Sequence, residues 1–258
     1  MEDRWQPVRS RGVFETLLVV DGEPVALTAH LERLERSVEA LYSQSLPPEV
    51  AERAGLAAGL LELGRLRMAA IPADGELEVE VEAEEIDPEI VFPSRGVSLR
   101  TQSIPGGLGP HKWISRWGIN RPAPDEAGAL IVDEGEALEA GWANVFAVRG
   151  GTLFTPPLDG RILPGTTRAA LLELAASDDI DVHERSLRPE DLLDADEAFL
   201  TGSIRGIEAA LELDGQPLAG CGPLSRRLAD ALRRHWGLSD SDAPRASASA
   251  SIPGQLSH

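Results

Sequence analysis

The sequence has a single cysteine, a single lysine, few aromatic residues and no long apolar run. With only one cysteine among 258 residues, Cys221, no internal disulfide can form, which argues against a secreted protein. No apolar run approaches the roughly 18 residues that a membrane helix needs, and residues 1–4 do not resemble a signal peptide. We therefore expect a cytoplasmic protein that has no membrane partner.

Basic residues are scarce relative to acidic ones. The chain has 24 Lys and Arg residues against 43 Asp and Glu residues, which gives a formal net charge of −19. Proteins that bind the nucleic-acid backbone use an excess of basic side chains to displace counterions. Because this chain has no such excess, we expect no nucleic-acid partner.

Lysine is almost absent, since all but one of the 24 basic residues are Arg and the exception is Lys112. A coding bias toward Arg explains the general depletion. Arg can replace Lys on a solvated surface, however, so a remaining Lys is a candidate for chemistry that a guanidinium cannot perform. Formation of a Schiff base by a deprotonated amine is the foremost example.

Apolar periodicity and turn residues predict an α+β chain in two segments. In the first, we expect one helix capped by Thr28, a second at about 47–63, and strands at 13–20, 24–27, 66–71, 76–83 and 97–101. In the second, we expect helices after 164–167 and at about 224–236, and strands at 129–133, 145–149, 152–155, 180–184, 197–201 and 209–213. The Gly- and Pro-rich stretch 103–110 is the best linker candidate. We therefore predict an N-terminal α+β domain at 1–104, a C-terminal domain at 105–238 and a disordered tail at 239–258.

Three features are candidate anion sites. Residues 164–168 (PGTTR) combine free N–H groups at a helix start with two hydroxyls, although an ordinary N-cap explains the same residues. Residues 201–206 (TGSIRG) are either a plain loop or a source of further phosphate donors. Arg33, near the edge of the buried face of its helix, is either a solvated side chain or a phosphate clamp.

Glu139 lies between small and apolar residues. A buried carboxylate there needs a cationic partner, and a protonated pyridine nitrogen would serve; the alternative is a surface Glu on a loop. The single Cys and the five His residues show no zinc-ligand spacing, so no metal site is predicted. A pyridoxal phosphate site needs an amine, a partner for the pyridine nitrogen and a phosphate-binding site. The chain offers these in order: Lys112 as the amine, Glu139 as the nitrogen partner, and residues 164–168 and 201–206 as the phosphate-binding site.

From about residue 12 to 223 the chain resembles the class IV aminotransferases of PLP fold type IV. This family includes branched-chain and D-amino acid aminotransferases and 4-amino-4-deoxychorismate lyase. The resemblance rests on Lys112, Glu139 and motifs at 12–17 (GVFETL), 30–34 (HLERL), 144–146 (NVF), 153–157 (LFTPP), 163–168 (LPGTTR) and 199–203 (FLTGS). It implies a two-domain α+β fold like that of D-amino acid aminotransferase, with a small α/β sandwich and a larger, β-rich C-terminal domain. It also implies pyridoxal 5'-phosphate as cofactor, a small amino substrate and a homodimer.

The resemblance also implies roles for individual residues. Lys112 would form the Schiff base with the cofactor and move the substrate proton, and Glu139 would pair with the pyridine nitrogen. The cofactor phosphate would be held by Arg33, Thr166, Thr167 and Ser203. Substrate carboxylates would be bound by Arg65, Arg67 and Arg116.

Two residues that follow Lys112 bear on the choice of activity. Many aminotransferases of the family have a Tyr at the position of Trp117, and Trp can donate a hydrogen bond but cannot accept one. Arg116 resembles the lyase branch instead. We therefore expect an aminodeoxychorismate lyase that makes 4-aminobenzoate and pyruvate for folate synthesis. The alternatives are an aminotransferase for a branched-chain or D-amino acid and an inactive binding protein, which the retention of Lys112 disfavours.

Overall fold

The computed structural model describes residues 5–116, 119, 121–123 and 126–238. Its helices are α1 (Leu27–Tyr42), α2 (Val50–Ala58), α3 (Thr166–Ser177), α4 (Pro189–Leu193) and α5 (Pro223–His235). Its strands are β1 (Val13–Val20), β2 (Glu23–Pro24), β3 (Leu63–Ala73), β4 (Glu76–Glu85), β5 (Val97–Ser103), β6 (Gly128–Asp133), β7 (Glu136–Ala140), β8 (Ala143–Arg149), β9 (Thr152–Thr155), β10 (Val182–Glu184), β11 (Glu197–Gly202), β12 (Gly206–Leu213) and β13 (Gln216–Pro217). In the described ranges, no helix is long and apolar enough to cross a membrane.

The first sheet is small, with the strand order β2-β1-β3-β4 and antiparallel pairing throughout. Val13, Leu17 and Val19 point to the same face of β1 because side chains alternate along a strand. That face packs against α1 and α2 in one apolar cluster, which includes Leu34, Val38 and Val50. Burial of these side chains holds the two helices on one side of the sheet.

Two details of this region differ from the sequence prediction. Thr28 does not cap α1, because the helix begins at Leu27 and Ala26, in a left-handed conformation with φ 54°, occupies the cap position. The second helix ends at Ala58 instead of near residue 63. Its predicted end is wrong because Leu63 is needed in the sheet, where it pairs with Val20 of β1.

The second sheet is large and closes on itself. Its nine strands run in the order β10-β9-β8-β11-β12-β5-β6-β7, with β13 beside β12. An additional pairing of β7 with β8 joins the end of this path to its middle, so the strands between them form a barrel. Helices α3 and α5 pack outside it on a cluster that contains Phe146, Phe199, Leu171 and Leu228. The predicted α+β class is confirmed.

The change from one sheet to the other falls before β5. This strand pairs in parallel with β12 and with β6, so it belongs to the large sheet. The domain boundary at 104 stays a prediction, and the membership of β5 favours a boundary between β4 and β5. The strand β7, which contains Glu139, was not predicted because its small residues have weak β propensity. The predicted tail at 239–258 lies outside the described residues.

Candidate active site

Two adjoining cavities lie where the small sheet meets the barrel. The first, here called the inner pocket, is lined by Arg33, Lys112, Glu139, Thr166, Thr167 and Ser203. The second, here called the outer cavity, has a volume of about 280 Å³ and is lined by Phe14, Arg65, Arg121, Trp142, Arg205 and Glu208, among others. Lys112 and Arg116 line both. The structure therefore brings the six predicted cofactor residues together in one pocket.

Lys112 is fixed to the small sheet by its backbone. Its carbonyl accepts a hydrogen bond of 2.9 Å from the N–H of Phe14 on β1. The next residue, Trp113, forms a β-bridge with Val13 and is buried in the core of the small sheet. The Lys112 Nζ lies 5.1 Å from the centre of the Phe14 ring. Burial lowers the pKa of Lys112 to about 7, so a large share of the amine is unprotonated at neutral pH and can act as a nucleophile.

Arg33 is held by a buried carboxylate that the sequence analysis did not single out. Glu15 of β1 is 1% exposed and Arg33 of α1 is 3% exposed. The Arg33 Nε and Nη2 donate to the two Glu15 oxygens at 2.7 and 2.6 Å, which is a bidentate pair. The other Glu15 neighbour is His30, whose Nδ1 lies 2.7 Å from Oε2. Although burial opposes ionisation, Arg33 and His30 together hold the pKa of Glu15 well below its usual range.

The same cluster reaches across to the barrel. The Arg33 Nη1 donates to the Pro164 carbonyl at 2.8 Å, and the His30 Nε2 lies 3.1 Å from the Thr166 hydroxyl. A guanidinium has five N–H donors. Three are used by Glu15 and Pro164, so two remain to bind an anion beside the start of α3.

The start of α3 is an open anion site. Its N-cap residue, Gly165, supplies no side-chain cap, and the first helical bond is the one from the Ala169 N–H to the Gly165 carbonyl. The N–H groups of Thr166 and Thr167 therefore have no partner within the helix and can bind a phosphate. A Cβ atom at Gly165 would lie 2.0 Å from the Asn144 Oδ1, so a larger residue here would displace the Asn144 side chain.

Glu139 lies on β7 and is 2% exposed. It accepts hydrogen bonds of 3.2–3.3 Å from the Leu163 N–H, and Asn144 Nδ2 lies 3.5 Å from its Oε2. Asn144 in turn donates to the Leu163 carbonyl at 3.0 Å, which fixes the loop that leads into α3. Burial raises the pKa of Glu139 to about 7, against the opposing effect of Arg116. A cation that replaced water beside Glu139 would favour its ionised form.

The loop after β11 completes the inner pocket. The Ser203 hydroxyl donates to the Thr16 carbonyl of β1 at 2.5 Å, which ties this loop to the small sheet. The Thr201 hydroxyl oxygen is buried and has no hydrogen-bond partner in the described part of the chain. Thr201 and Ser203 line both cavities.

The three predicted substrate arginines occupy different places. Arg116 is buried where the two cavities join, and its Nε has no hydrogen-bond partner within the described ranges. Arg65 lies at the rim of the outer cavity and pairs with the exposed Glu84. The Arg67 guanidinium packs over the Phe14 ring at 5.1 Å, and its role in substrate binding stays a prediction. Trp117 lies outside the described residues.

Some site residues were missed from the sequence, namely Glu15, Asn144, Arg121 and Glu208. Glu15 carried a signal, because it shares its face of β1 with Val13 and Leu17, and a charged residue on a buried face needs partners. His30 was considered only as a metal ligand, whereas it bonds to Glu15 and Thr166. Among the residues that the structure describes, no group of three or more His, Cys, Asp or Glu is placed to hold a metal ion.

Comparison with known proteins gives a consistent result. The sequence model of the family described as "Amino-transferase class IV" matches residues 12–90 and 123–212. The branched-chain-amino-acid aminotransferase of Escherichia coli is 36% identical over 109 residues, which are 42% of this chain and 35% of that protein. The matches to such curated relatives thus span less than half of their length.

Solved structures match over most of the chain. A 4-amino-4-deoxychorismate lyase from Pseudomonas aeruginosa has a TM-score of 0.69 at 26% identity, covering 87% of this chain and 91% of that one. A protein from Mycobacterium tuberculosis described as a hypothetical aminotransferase, in its PLP-bound form, has a TM-score of 0.78 at 26% identity, covering 89% of this chain and 90% of that one. This likeness extends over both sheets, and the predicted two-domain PLP fold type IV is confirmed.

Proposed function

We propose, from the premise that this chain belongs to the class IV aminotransferase family and is a pyridoxal-phosphate-dependent enzyme, that it is a 4-amino-4-deoxychorismate lyase. The reaction would split the substrate into 4-aminobenzoate and pyruvate. We place the enzyme in folate synthesis on the same grounds. The proposal also takes the chain to be cytoplasmic, as its composition suggests.

The inner pocket has the groups that pyridoxal phosphate needs. The spare N–H groups of Arg33 and the free N–H groups of Thr166 and Thr167 would hold the phosphate, with the nearby Ser203 as a further contact. The Glu139 carboxylate would pair with the protonated pyridine nitrogen. When bound, the cofactor supplies an electron sink for the substrate carbon that bears the amino group.

Lys112 would carry out the proton transfer. Its amine, with a pKa of about 7, is suited to accept a proton near neutral pH. As Lys112 takes the proton from the carbon that bears the amino group, the neighbouring carbon–oxygen bond breaks. The ring becomes aromatic, and the leaving group departs as the enolate of pyruvate, which takes up a proton at carbon to become pyruvate. Glu139 is buried and Lys112 is partly buried between the two cavities, which limits the access of bulk water to these groups.

The observation that carries the lyase proposal is the position of Arg116. Its guanidinium is buried beside Lys112, where the inner pocket meets the outer cavity, and its Nε is unpartnered among the described residues. A buried cation with an open donor favours an anion close to the reacting carbon. The carboxylate of the departing pyruvate group would satisfy this donor.

An aminotransferase for a branched-chain amino acid is the second candidate. The outer cavity has an apolar wall, formed by Phe14, Ile86, Ile90, Leu200 and Ile204, against which a branched side chain would pack. The 36% identity to the Escherichia coli branched-chain enzyme also favours this reading. The same Lys112, Glu139 and Arg33 would serve both reactions.

The experiment that separates the two is the visible absorbance of the purified holoenzyme, recorded before and after L- and D-amino acids are added without a ketoacid. A lyase keeps its cofactor absorbance with every amino acid and releases pyruvate from aminodeoxychorismate. Bleaching by one amino acid, without pyruvate release from aminodeoxychorismate, establishes the aminotransferase instead. The Lys112→Ala variant is the control in both assays.

We also propose that the enzyme is a homodimer, on the basis of the family resemblance. Light scattering of the holoenzyme should give twice the chain mass of 27.6 kDa. A mass of one chain would contradict this.

A further inference from the structure

We propose that Arg121 and Arg205, bridged by Glu208, bind a second carboxylate of the amino substrate and so select substrates with two anionic groups. These three residues line the outer cavity but not the inner pocket. The inference rests on the proposed function only in that an amino substrate reacts at Lys112. It holds for a lyase and for an aminotransferase alike.

The three side chains form one cluster, in which two partly buried arginines flank a buried carboxylate. Glu208 lies on β12 and is 2% exposed. The Arg121 Nη2 donates to the Glu208 Oε1 at 2.7 Å, and the Arg205 Nε lies 3.2 Å from the same oxygen. Two guanidinium groups from different parts of the chain are thereby held side by side on one carboxylate oxygen. Glu208 thus places the pair and sets its spacing.

The cluster has more positive than negative charge. Two guanidiniums face one carboxylate, which leaves an excess of one positive charge inside a chain whose formal net charge is −19. Burial and the charge of Arg121 lower the pKa of Arg205, against the favourable effect of Glu208. A bound carboxylate would balance this excess and would replace the hydration that burial removes.

Unsatisfied polar atoms show that the cluster is open toward a ligand. The Arg121 Nε, the Arg205 Nε and the Glu208 Oε2 are buried and have no hydrogen-bond partner in the described ranges, and the first two are donors that an anion can satisfy. The Trp142 Nε1 on the wall of the same cavity is in the same state. Native proteins pair nearly all buried donors. The donors of Arg121 and Trp142 would be satisfied by the oxygens of a bound anion.

Arg65 provides an internal contrast. It also lines the outer cavity, but its guanidinium pairs with the exposed Glu84 at the rim. An exposed ion pair contributes little and needs no ligand to complete it. The cluster therefore, and not the rim arginine, is the site that distinguishes a charged from a neutral distal group.

The test measures equilibrium binding of matched probes to the holoenzyme. 4-Aminobenzoate is compared with its neutral isostere 4-aminobenzamide, and glutamate with glutamine, using the cofactor absorbance or calorimetry. We expect the wild type to bind the charged member of at least one pair roughly 10- to 100-fold more tightly, the scale of a hydrogen bond to a charged group. Arg121→Gln and Arg205→Gln should each remove most of this preference. Arg227→Gln, which removes an exposed arginine paired with Asp178, should leave it unchanged.

Glu208→Gln removes the carboxylate that competes with the ligand. If the cluster binds an anion, Glu208→Gln should keep or increase the preference for the charged probe, whereas Arg121→Gln and Arg205→Gln lose it. If the cluster only stabilises the fold, all three variants lower the melting temperature, and Arg121→Gln and Arg205→Gln keep the wild-type preference, which overturns the proposal. Equal binding of both members of each pair by the wild type overturns it as well. Should Arg121→Gln not fold, Arg121→Lys serves, and it must lose part of the preference because it lacks the planar fork.

Failure of the lyase proposal has a different signature. In that case aminodeoxychorismate yields no pyruvate, while the anion preference and its loss in Arg121→Gln persist.

Discussion

The inner pocket and the outer cavity adjoin at Lys112, yet they are built differently. In the inner pocket, Glu15 satisfies Arg33 and His30, and Glu139 accepts from the Leu163 backbone, so protein contacts alone fix these charged groups. In the outer cavity, the Arg121 Nε and the Glu208 Oε2 have no partner in the part of the chain that the structure describes. The protein thus fixes the charged side chains of the inner pocket with its own contacts, whereas in the outer cavity a charged side chain keeps an unpaired donor for the ligand.

The difference matches what each site would hold. A resident cofactor stays through many turnovers, so a pocket whose charged side chains are held in place by the protein need not favour release. A substrate must enter and leave at every turnover. Unpaired hydrogen-bond donors in the outer cavity can bind it and release it again.

Removal of the Lys112 amine, where the two cavities adjoin, should have the largest effect on turnover. We expect Lys112→Ala to lower turnover by roughly 10⁴-fold, the upper end for the loss of an acid–base group, because the same amine also binds the cofactor. The visible absorbance of the bound cofactor should be lost, while circular dichroism stays that of the wild type. Turnover within tenfold of the wild type would exclude Lys112 as the reacting group.

The charged cluster of the inner pocket should be the next most sensitive. Glu15→Gln leaves the Arg33 guanidinium buried without its carboxylate, and breaking a buried pair costs about 3–5 kcal/mol. Denaturant unfolding should show that loss, and cofactor affinity should fall because Arg33 is no longer held toward α3. Glu84→Gln, which removes the exposed partner of Arg65, is the matched control and should change stability by less than about 1 kcal/mol. Equal effects of the two substitutions would refute the contrast.

Glu139→Gln tests the nitrogen partner without changing the shape of the pocket. The amide can still contact the pyridine nitrogen but no longer stabilises its charge. Turnover should fall by about 10²-fold, the scale of one preorganised electrostatic contact. The cofactor affinity should change much less than the turnover. A fall in affinity with turnover unchanged at saturating cofactor would assign Glu139 to binding alone.

The rate of cofactor uptake by the apoenzyme should depend on pH. Burial lowers the pKa of Lys112 to about 7, so the reactive neutral amine becomes more abundant as the pH rises through that value. Below it, the rate should fall about tenfold for each pH unit. Stopped-flow absorbance at several pH values measures this. A rate that still rises steeply above pH 9 would show that the amine has an ordinary pKa.

The smallest effect is expected in the outer cavity. Trp142→Phe removes an indole N–H that has no hydrogen-bond partner within the described ranges. Because no hydrogen bond within the protein is lost, any change in stability should come only from the smaller ring, since Trp142 packs against the core of the barrel. If the substrate accepts from this N–H, its KM should rise about 2- to 10-fold, the scale of one hydrogen bond. An unchanged KM would place the substrate away from Trp142.

The site residues that were predicted from the sequence can be recognised from features of the sequence itself. Lys112 was identifiable as the sole lysine, and Thr166 and Thr167 follow a glycine at a helix start. Each signal depends on the residue's own neighbours in the chain. The parts that were missed depend on contacts across the fold. Arg121 and Glu208, 87 residues apart, meet only because β12 lies in the barrel wall beside the outer cavity.

The fold shows the same limit. The strands β1 and β4 and the helix α5 were predicted with nearly their observed bounds. The strand β7 was not, because a short run of Ala, Leu and Glu has no preference that survives without its partners β6 and β8. The closing contact of the barrel, which positions Glu139, is therefore a tertiary effect that single-sequence reasoning does not reach.

The attachment of the Lys112 backbone to the small sheet predicts how the protein unfolds. Its backbone belongs to the small sheet, through the bond from Phe14. The pocket that its side chain faces is formed largely by the barrel, through Glu139 and the start of α3. A molecule bound covalently to Lys112 and held noncovalently by barrel residues would be a reversible crosslink between the small sheet and the barrel. Loaded enzyme should then melt in one cooperative step, whereas the empty chain should lose its small sheet first, so calorimetry would report occupancy through the number of transitions.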